Sequence, residues 1–264
     1  MSSTPGIKPI PASKPAPIIL PPAKPIDILQ DQYSFLASNL HAVILLSGLY
    51  LSFNRLVEDP ITTLSKLSPL VVILQLAYCF ICLPSTGQAP PPPKQKWKKQ
   101  SKPSQDFGAR AVVCVERGYN TTQPLTTSSQ PAFLSLILTI VLSVPALFII
   151  VIFFGAPLTT HQAHTILLSL HLGLLTTPQL FYVHGLDVAA WMQAASLQLP
   201  LDEVYGMTLG AVVGAWAGAV PIPLDWDREW QKWPVTIITG LYIGAVVGKL
   251  LGAYVVKGVR VKIN

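Results

Sequence analysis

The stretch PAFLSLILTIVLSVPALFIIVIFF, residues 131–154, is an uninterrupted apolar run without a charged side chain. The hydrocarbon core of a bilayer is about 30 Å thick, and about 20 helical residues cross it. A membrane β-barrel would instead show segments of about ten residues in which apolar and polar side chains alternate. This run does not alternate, so it predicts a transmembrane α-helix.

The composition of the whole chain agrees with this interpretation. The 264 residues are 51% apolar and 11% charged, with a mean hydropathy of +0.50, whereas roughly a quarter of the residues of a soluble domain are charged. Further apolar runs of membrane-spanning length occupy residues 33–53, 64–83, 162–183, 204–224 and 234–256. We therefore predict an all-α integral membrane protein with about six transmembrane helices.

The composition also divides the chain into four parts. Residues 1–30 are rich in proline, which breaks helices, so they are expected to form a disordered tail that serves as a tether or as a proline-rich ligand. Residues 31–83 hold the first two helices, residues 84–130 form a linker rich in lysine and proline, and residues 131–264 hold the other four helices. The linker is interpreted as a solvated loop or as a patch that rests on anionic lipid.

Basic residues are distributed unevenly between the two sides of the membrane. With six helices, 13 of the 18 Lys and Arg residues lie on the side that carries both termini and the linker. Basic residues accumulate on the cytoplasmic side, so both termini are predicted to be cytoplasmic. The sequon at Asn120 would then be cytoplasmic and is expected to carry no glycan. Because the basic residues cluster beside apolar spans, they argue against nucleic-acid binding.

The last two predicted helices carry glycine at every fourth position. Residues four apart lie on one helix face, and small residues let helix backbones approach closely in lipid. We expect the two glycine faces to pack against each other; the alternative is that one face receives a helix from another protein. The glycines are Gly206, Gly210, Gly214, Gly218, Gly240, Gly244, Gly248 and Gly252.

Cysteine and histidine residues are the candidates for redox or metal chemistry. Cys79 and Cys82 form a CxxC, but it lies inside the second helix, whereas redox motifs need an exposed helix N-terminus. His161, His164 and His171 fall roughly on one face of the fourth helix, and a metal site would need three converging ligands. We interpret the histidines as polar contacts between helices, and we predict no catalytic residue, no metal site and no cofactor.

Lys249 lies within the sixth helix, about two turns from its end. Its stem is long enough to carry the ammonium group to the membrane interface. No carboxylate falls within the predicted spans, so no acidic partner is expected inside the membrane. That expectation argues against an ion-coupled transporter, and the helices also lack the paired broken halves that transporters show.

The segment WAGAVPIPLDWDREWQKWP, residues 216–234, connects the two glycine-rich helices. Tryptophan favours the membrane interface, so the segment is at least an interfacial anchor. Its prolines and mixed charges suggest a rigid knob that contacts a partner protein or a lipid. The candidate contact residues are Trp216, Pro221, Pro223, Asp225, Trp226, Asp227, Arg228, Trp230 and Trp233.

The same segment resembles the signature of the PIG-F family, GAW-GA-PIPLDW-R-WQ-WP. FFGAPL, residues 153–158, is also similar to the junction that follows the third helix in that family. The similarity extends over about residues 131–256, and the tail and the lysine-rich linker have no counterpart in it.

The resemblance implies a non-catalytic subunit of the endoplasmic-reticulum membrane that supports synthesis of glycosylphosphatidylinositol (GPI) anchors. Members of the family associate with the large GPI ethanolamine phosphate transferases and stabilise them, while the transferases add phosphoethanolamine to the precursor on the lumenal side. The resemblance thus implies these transferases as partners, with membrane lipid or the GPI precursor as a further contact. Two alternatives stay open, a lipid-modifying membrane enzyme and a lipid transporter of the same membrane.

Overall fold

The computed structural model describes residues 23–29, 31–86, 125–224 and 226–260. The secondary structure of these residues is helical, and six spans are long and apolar enough to cross a membrane, which confirms the predicted fold class. The spans are Gln32–Glu58, Pro60–Cys82, Gln130–Phe153, Gln162–His184, Glu203–Leu224 and Val235–Val255. Most of the proline-rich tail and of the lysine-rich linker, with Asn120, lies outside the described residues, so their assignments stay predictions.

The first two helices form a hairpin around a single residue. Helix α1 spans Gln32–Glu58 and helix α2 spans Pro60–Cys82. Asp59 lies between them in an extended conformation, and its side chain accepts a hydrogen bond from the Thr62 backbone N–H at 3.2 Å. A proline at the first position of α2 is favoured because the N–H that it lacks would have no partner there.

The third span is the one most open to its surroundings. Helix α3, Leu125–Leu138, continues through a π-helical turn, Thr139–Ser143, into α4, Val144–Phe153. Pro145 follows this turn, and proline interrupts the regular hydrogen bonding of an α-helix. Only 11% of the span is buried, so its apolar side chains face lipid or a partner. Helix α3 begins inside the segment predicted as linker.

The last five described α-helices complete the bundle. Helix α5, Gln162–Thr176, and helix α6, Pro178–His184, form one span that is broken before Pro178. A short helix, α7, covers Val188–Ala195. Helix α8 spans Glu203–Ala219, and helix α9 spans Val235–Leu250 and ends in a π-helical turn, Leu251–Val255.

The fourth span is the centre of the molecule, which accounts for its polar side chains. It is 72% buried, the highest share among the six spans. His171 is fully buried there, with Nδ1 2.7 Å from the hydroxyl of Tyr242 in α9 and Nε2 3.1 Å from the carbonyl oxygen of Leu64 in α2. In a bilayer such groups must be satisfied by protein, so this histidine joins three helices.

The glycine faces of α8 and α9 pack against each other, as the sequence predicted. A Cβ added at Gly210 would lie 2.7 Å from the Gly248 Cα, and one added at Gly214 would lie 2.8 Å from the Gly244 Cα. Real Cβ atoms do not approach other atoms so closely, so the two backbones are in direct contact. An open apolar groove of about 620 Å³ follows the seam between the two helices.

The ends of the helices define two sides of the molecule. On one, which we call the terminal side, the backbone N–H of Ile26 donates to Asp202 at 2.8 Å, and the N–H of Leu201 donates to the carbonyl oxygen of Val259 at 2.7 Å. The residues that precede α1 and follow α9 therefore meet there. The opposite side, which we call the loop side, carries Asp59 and the connections 154–161 and 220–234.

Candidate functional site

The connection between α8 and α9 covers residues 220–234, and we call it the signature loop. Two short 3₁₀ turns shape its backbone. The turns are Ile222–Leu224 and Glu229–Gln231. Pro221 and Pro223 restrict the backbone around the first turn, because proline fixes φ. Pro221 is half-buried, whereas Pro223 is exposed.

Gln231 joins the two halves of the signature loop. Its Nε2 donates to the carbonyl oxygen of Pro221 at 2.7 Å, and its Oε1 accepts from the backbone N–H of Arg228 at 3.1 Å. Gln231 is not among the contact residues predicted from the sequence, although it belongs to the WQ pair of the family signature. The structure gives this residue the positioning role in the loop.

The tryptophans of the segment fall into two groups. Trp226 and Trp230 contact each other edge to face, with ring centroids 5.8 Å apart, and Trp226 is 53% exposed. Trp216, near the end of α8, is 66% exposed. Trp233 instead packs against the main hydrophobic core. The structure therefore places three tryptophans where a partner or a lipid can reach them and assigns Trp233 to holding the loop on the bundle.

The charged residues of the signature loop are accessible. Asp227 and Arg228 are exposed, and Asp227 has a φ of +51°, which is uncommon for a residue other than glycine. Glu229 forms an exposed ion pair with Lys232. Asp225 lies outside the described residues, so its predicted contact role stays a prediction.

The three histidines that the sequence places on one face near the fourth span, His161, His164 and His171, do not converge. His161 and His164 are neighbours near the loop side, with ring centroids 5.2 Å apart, whereas His171 is bonded inside the bundle. Asp59 lies near His164 but caps α2, and hydrogen bonds from Thr62 hold the pKa of Asp59 below its ordinary value. Among the described residues, no three His, Cys, Asp or Glu side chains are placed to hold a metal ion.

Cys79 and Cys82 are free thiols that lie buried in α2. Cys82 contacts the carbonyl oxygen of Ser34 in α1, with Sγ 3.4 Å from it. Both residues thus occupy interior positions between helices, which fits the interpretation as small fillers.

The structure buries Lys249 inside the bundle beside an acidic side chain. Lys249 is 2% exposed, and its Nζ lies 3.4 Å from Glu203 Oε1. Glu203 is the first residue of α8 and of its span, one position before the predicted start, so the expectation that Lys249 has no acidic partner within the spans is wrong. The expected absence of an acidic partner therefore no longer excludes ion-coupled transport.

Lys249 and Glu203 belong to a set of side chains that we call the polar cluster (Ser38, His41, Tyr78, Glu203, Lys249). Lys249 Nζ donates to the Ser38 carbonyl oxygen at 2.9 Å, lies 3.1 Å from His41 Nδ1 and sits 3.9 Å from the centre of the Tyr78 ring. The hydroxyl groups of Ser38 and Tyr78 donate to Glu203, the latter at 2.9 Å. The cluster joins α1, α2, α8 and α9 near the terminal side.

The described residues of the signature loop combine groups that can bind a partner or a lipid. They offer an exposed aromatic ring, a guanidinium group and two carboxylates, one of them paired with Lys232, on a backbone held by Gln231. Nucleophilic catalysis would need a nucleophile within hydrogen-bond reach of a base, and the described residues of the loop hold no such pair. A second polar feature, the polar cluster, lies on the other side of the membrane.

Comparisons with known proteins agree with the resemblance in the signature segment. They correct its predicted extent of about residues 131–256, because the similarity begins well before residue 131. The model of the GPI biosynthesis protein family Pig-F matches residues 40–253. The chain is 40% identical over 261 residues to a protein of Aspergillus fumigatus named glycosylphosphatidylinositol anchor biosynthesis protein 11, covering 91% of this chain and 86% of the relative. Proteins of the same name from Neurospora crassa and Pyricularia oryzae are 40% and 38% identical, over 78% and 86% of this chain and 70% and 79% of theirs.

No solved structure matches the chain significantly. The family match covers most of the chain, and similarity to the relatives extends along most of both sequences. The protein is therefore a member of the Pig-F family of GPI biosynthesis proteins.

Proposed function

We propose that this protein is a non-catalytic membrane subunit of the GPI ethanolamine phosphate transferases, and that its signature loop contacts the transferase. The observation that carries the proposal is the loop itself. Gln231 bonds its two halves together, Trp226 and Arg228 are exposed, and Trp230 is half-buried against Trp226. The described residues of the loop hold no nucleophile within reach of a base. Exposed tryptophan and arginine are the residue types that dominate protein interfaces.

The relatives support the choice of pathway. The family is described by GPI biosynthesis, and the relatives are named for GPI anchor biosynthesis. We extend this assignment to the GPI biosynthesis pathway to a subunit role in the endoplasmic-reticulum membrane. With both termini in the cytoplasm, as the basic residues predict, the signature loop would face the lumen, where the transferases act.

The chemistry of phosphoryl transfer supports a subunit without a catalytic role. Such enzymes stabilise the transferred group with metal ions or with several cationic side chains. Lys232 is engaged by Glu229, which leaves Arg228 as the free cation among the described residues of the loop. One guanidinium group suits recognition of a carboxylate or phosphate, including that of a GPI precursor beside the transferase.

The test is retrieval of the transferase with this protein after Trp226→Ala and Trp230→Ala are combined. Residues that dominate an interface each contribute about 2 kcal/mol or more, so retrieval should fall by more than about tenfold. The amount of transferase should fall as well, and GPI precursors lacking terminal phosphoethanolamine should accumulate. A matched control combines Tyr50→Ala with Phe153→Ala, which removes two aromatic rings that are 82% and 85% exposed outside the loop.

Two outcomes would contradict the proposal. Undiminished retrieval of the transferase by the loop variant, at wild-type abundance of both proteins, would show that the signature loop is not the contact. Transferase activity of the purified chain alone would support the alternative of a lipid-modifying enzyme.

A further inference from the structure

A cleft of about 170 Å³ opens on the terminal side, next to the polar cluster. Its walls come from the segment before α1, the first turns of α1 and the π-helical turn after α9, and include Ile26, Phe35 and Tyr254. One water occupies about 30 Å³, so the cleft has room for a larger polar group. We call it the terminal cleft.

The depth of the terminal cleft matches that of phospholipid headgroups. Glu203, which lines the cleft, is the first residue of its span, and Tyr254 lies in the last turn of another span. Phe35 and Tyr254 are 53% and 58% exposed, so part of the wall faces the hydrocarbon. The terminal cleft is thus open to water at one end and has a wall that faces hydrocarbon, as a lipid-binding site must.

The carboxylate of Glu203 provides a deep anionic group. Glu203 is 6% exposed. Within the described part of the chain, the bonds from Ser38, Tyr78 and Lys249 all end on its Oε1. Glu203 lines the cleft, and its Oε2 accepts none of these three bonds, so this oxygen can accept from a donor that enters the cleft. A cationic donor makes the strongest such bond.

Lys257 provides the opposite charge at the edge of the terminal cleft. Its side chain is 50% exposed, lines the cleft and pairs with Asp27 at 2.5 Å. Lysine binds phosphate as a point charge. Both charges already have a partner, Lys249 for Glu203 and Asp27 for Lys257. Among the described residues that line the cleft, the carboxylate of Glu203 lies at depth and the ammonium of Lys257 near the edge. This order matches an ammonium group followed by a phosphate, each of which would share a charge with the pair already present.

We propose that the terminal cleft binds the headgroup of one zwitterionic phospholipid, with its ammonium on Glu203 and its phosphate beside Lys257. An anionic headgroup would place negative charge against the buried carboxylate. A soluble zwitterion carries the same two charges but has no acyl chain for the apolar wall. The proposal is independent of the partner role of the signature loop, which lies on the other side of the membrane.

The test is native mass spectrometry of the full chain released from micelles that contain equal amounts of phosphatidylethanolamine, phosphatidylcholine and phosphatidylglycerol. The wild type should retain one zwitterionic lipid per chain, at least about tenfold more often than phosphatidylglycerol. Ala253→Leu, which adds bulk to a residue lining the cleft, should lower this retention about tenfold. Val255→Leu is the matched control, because Val255 is 70% exposed on the same turn and does not line the cleft.

A second pair of variants keeps the test decisive if Ala253→Leu fails to fold. Lys257→Ala should reduce retention of the zwitterionic lipid, and Lys257→Arg should preserve it. Equal retention of all three lipids by the wild type would overturn the proposal, as would unchanged retention in both Ala253→Leu and Lys257→Ala. If the chain retained soluble phosphoethanolamine as strongly as the lipid, the bound group would not need to come from a lipid, and the proposal would be overturned.

Discussion

Lys249 and Glu203 place two opposite charges inside the bundle, where each has lost most of its water. Removing an ion from water costs several kcal/mol, and the attraction to a close partner offsets this only when further hydrogen bonds complete the site. Here Ser38, His41 and Tyr78 complete it. Each charge is therefore stable inside the bundle only while the other is present.

We predict that Lys249→Met lowers the free energy of unfolding by about 3–5 kcal/mol, because it leaves the Glu203 carboxylate buried and unpaired. Combining it with Glu203→Gln should cost clearly less than the sum of the two single changes. Unfolding in micelles, followed by circular dichroism, gives the three values. The control is Lys257→Met, which removes an exposed ion pair expected to contribute about 0–1 kcal/mol. Strict additivity of the two buried substitutions would show that the charges are not coupled.

The sequence could not predict the ion pair between Lys249 and Glu203, because of a helix boundary and of the distance between the two residues in the chain. The predicted fifth helix began at residue 204, so the acid one position earlier was counted as solvated. Lys249 is far from Glu203 in the chain, and only the packing of α8 on α9 brings the two together. A single-residue error at a helix boundary therefore changed the interpretation of a buried lysine.

The seam between α8 and α9 is the element that the sequence predicted best. Glycine at every fourth position defines a helix face without reference to the rest of the fold, and helix backbones in lipid approach where side chains are small. The positions of side chains in the signature loop were not predictable in this way. Gln231 acts through hydrogen bonds across ten residues of irregular backbone, which no periodic pattern encodes.

We predict that Gly214→Ala destabilises the protein by about 1–3 kcal/mol, because its Cβ would overlap the backbone of α9. Gly48→Ala is the control, since a Cβ there would lie 3.6 Å from the Leu70 side chain, an ordinary contact. That change should be neutral or stabilise helix α1 by up to about 1 kcal/mol. Gly173 is unsuitable as a control, because a Cβ there would lie 2.9 Å from Val144. Equal losses at Gly214 and Gly48 in thermal unfolding would mean that the close approach of the two helices is not required.

At the scale of the whole molecule, the orientation in the membrane decides which chemistry the signature loop can meet. Six spans place both termini on one side, and 13 of the 18 basic residues share that side. From this distribution we predict that the loop faces the lumen and the terminal cleft the cytoplasmic leaflet.

We predict that Cys114 in the linker reacts with a membrane-impermeant maleimide in intact microsomes, because the basic residues place the linker on the predicted cytoplasmic side. Cys79 and Cys82 are buried and should not react. The control combines Cys114→Ser with Thr159→Cys, an exposed position on the loop side that should react only after permeabilisation. Absence of a glycan on Asn120 is the second expected result. Labelling of Thr159→Cys in sealed microsomes, or a glycan on Asn120, would reverse the orientation.

We propose that this protein keeps a transferase present without taking part in its reaction. The most direct measurement is the abundance of the GPI ethanolamine phosphate transferase beside its turnover per molecule, in membranes with the wild-type chain and with the combined Trp226→Ala and Trp230→Ala variant. We expect abundance to fall while turnover per remaining transferase molecule stays within about twofold. A transferase that stays abundant and bound to the variant but loses its turnover would contradict the claim, because the signature loop would then serve the reaction itself.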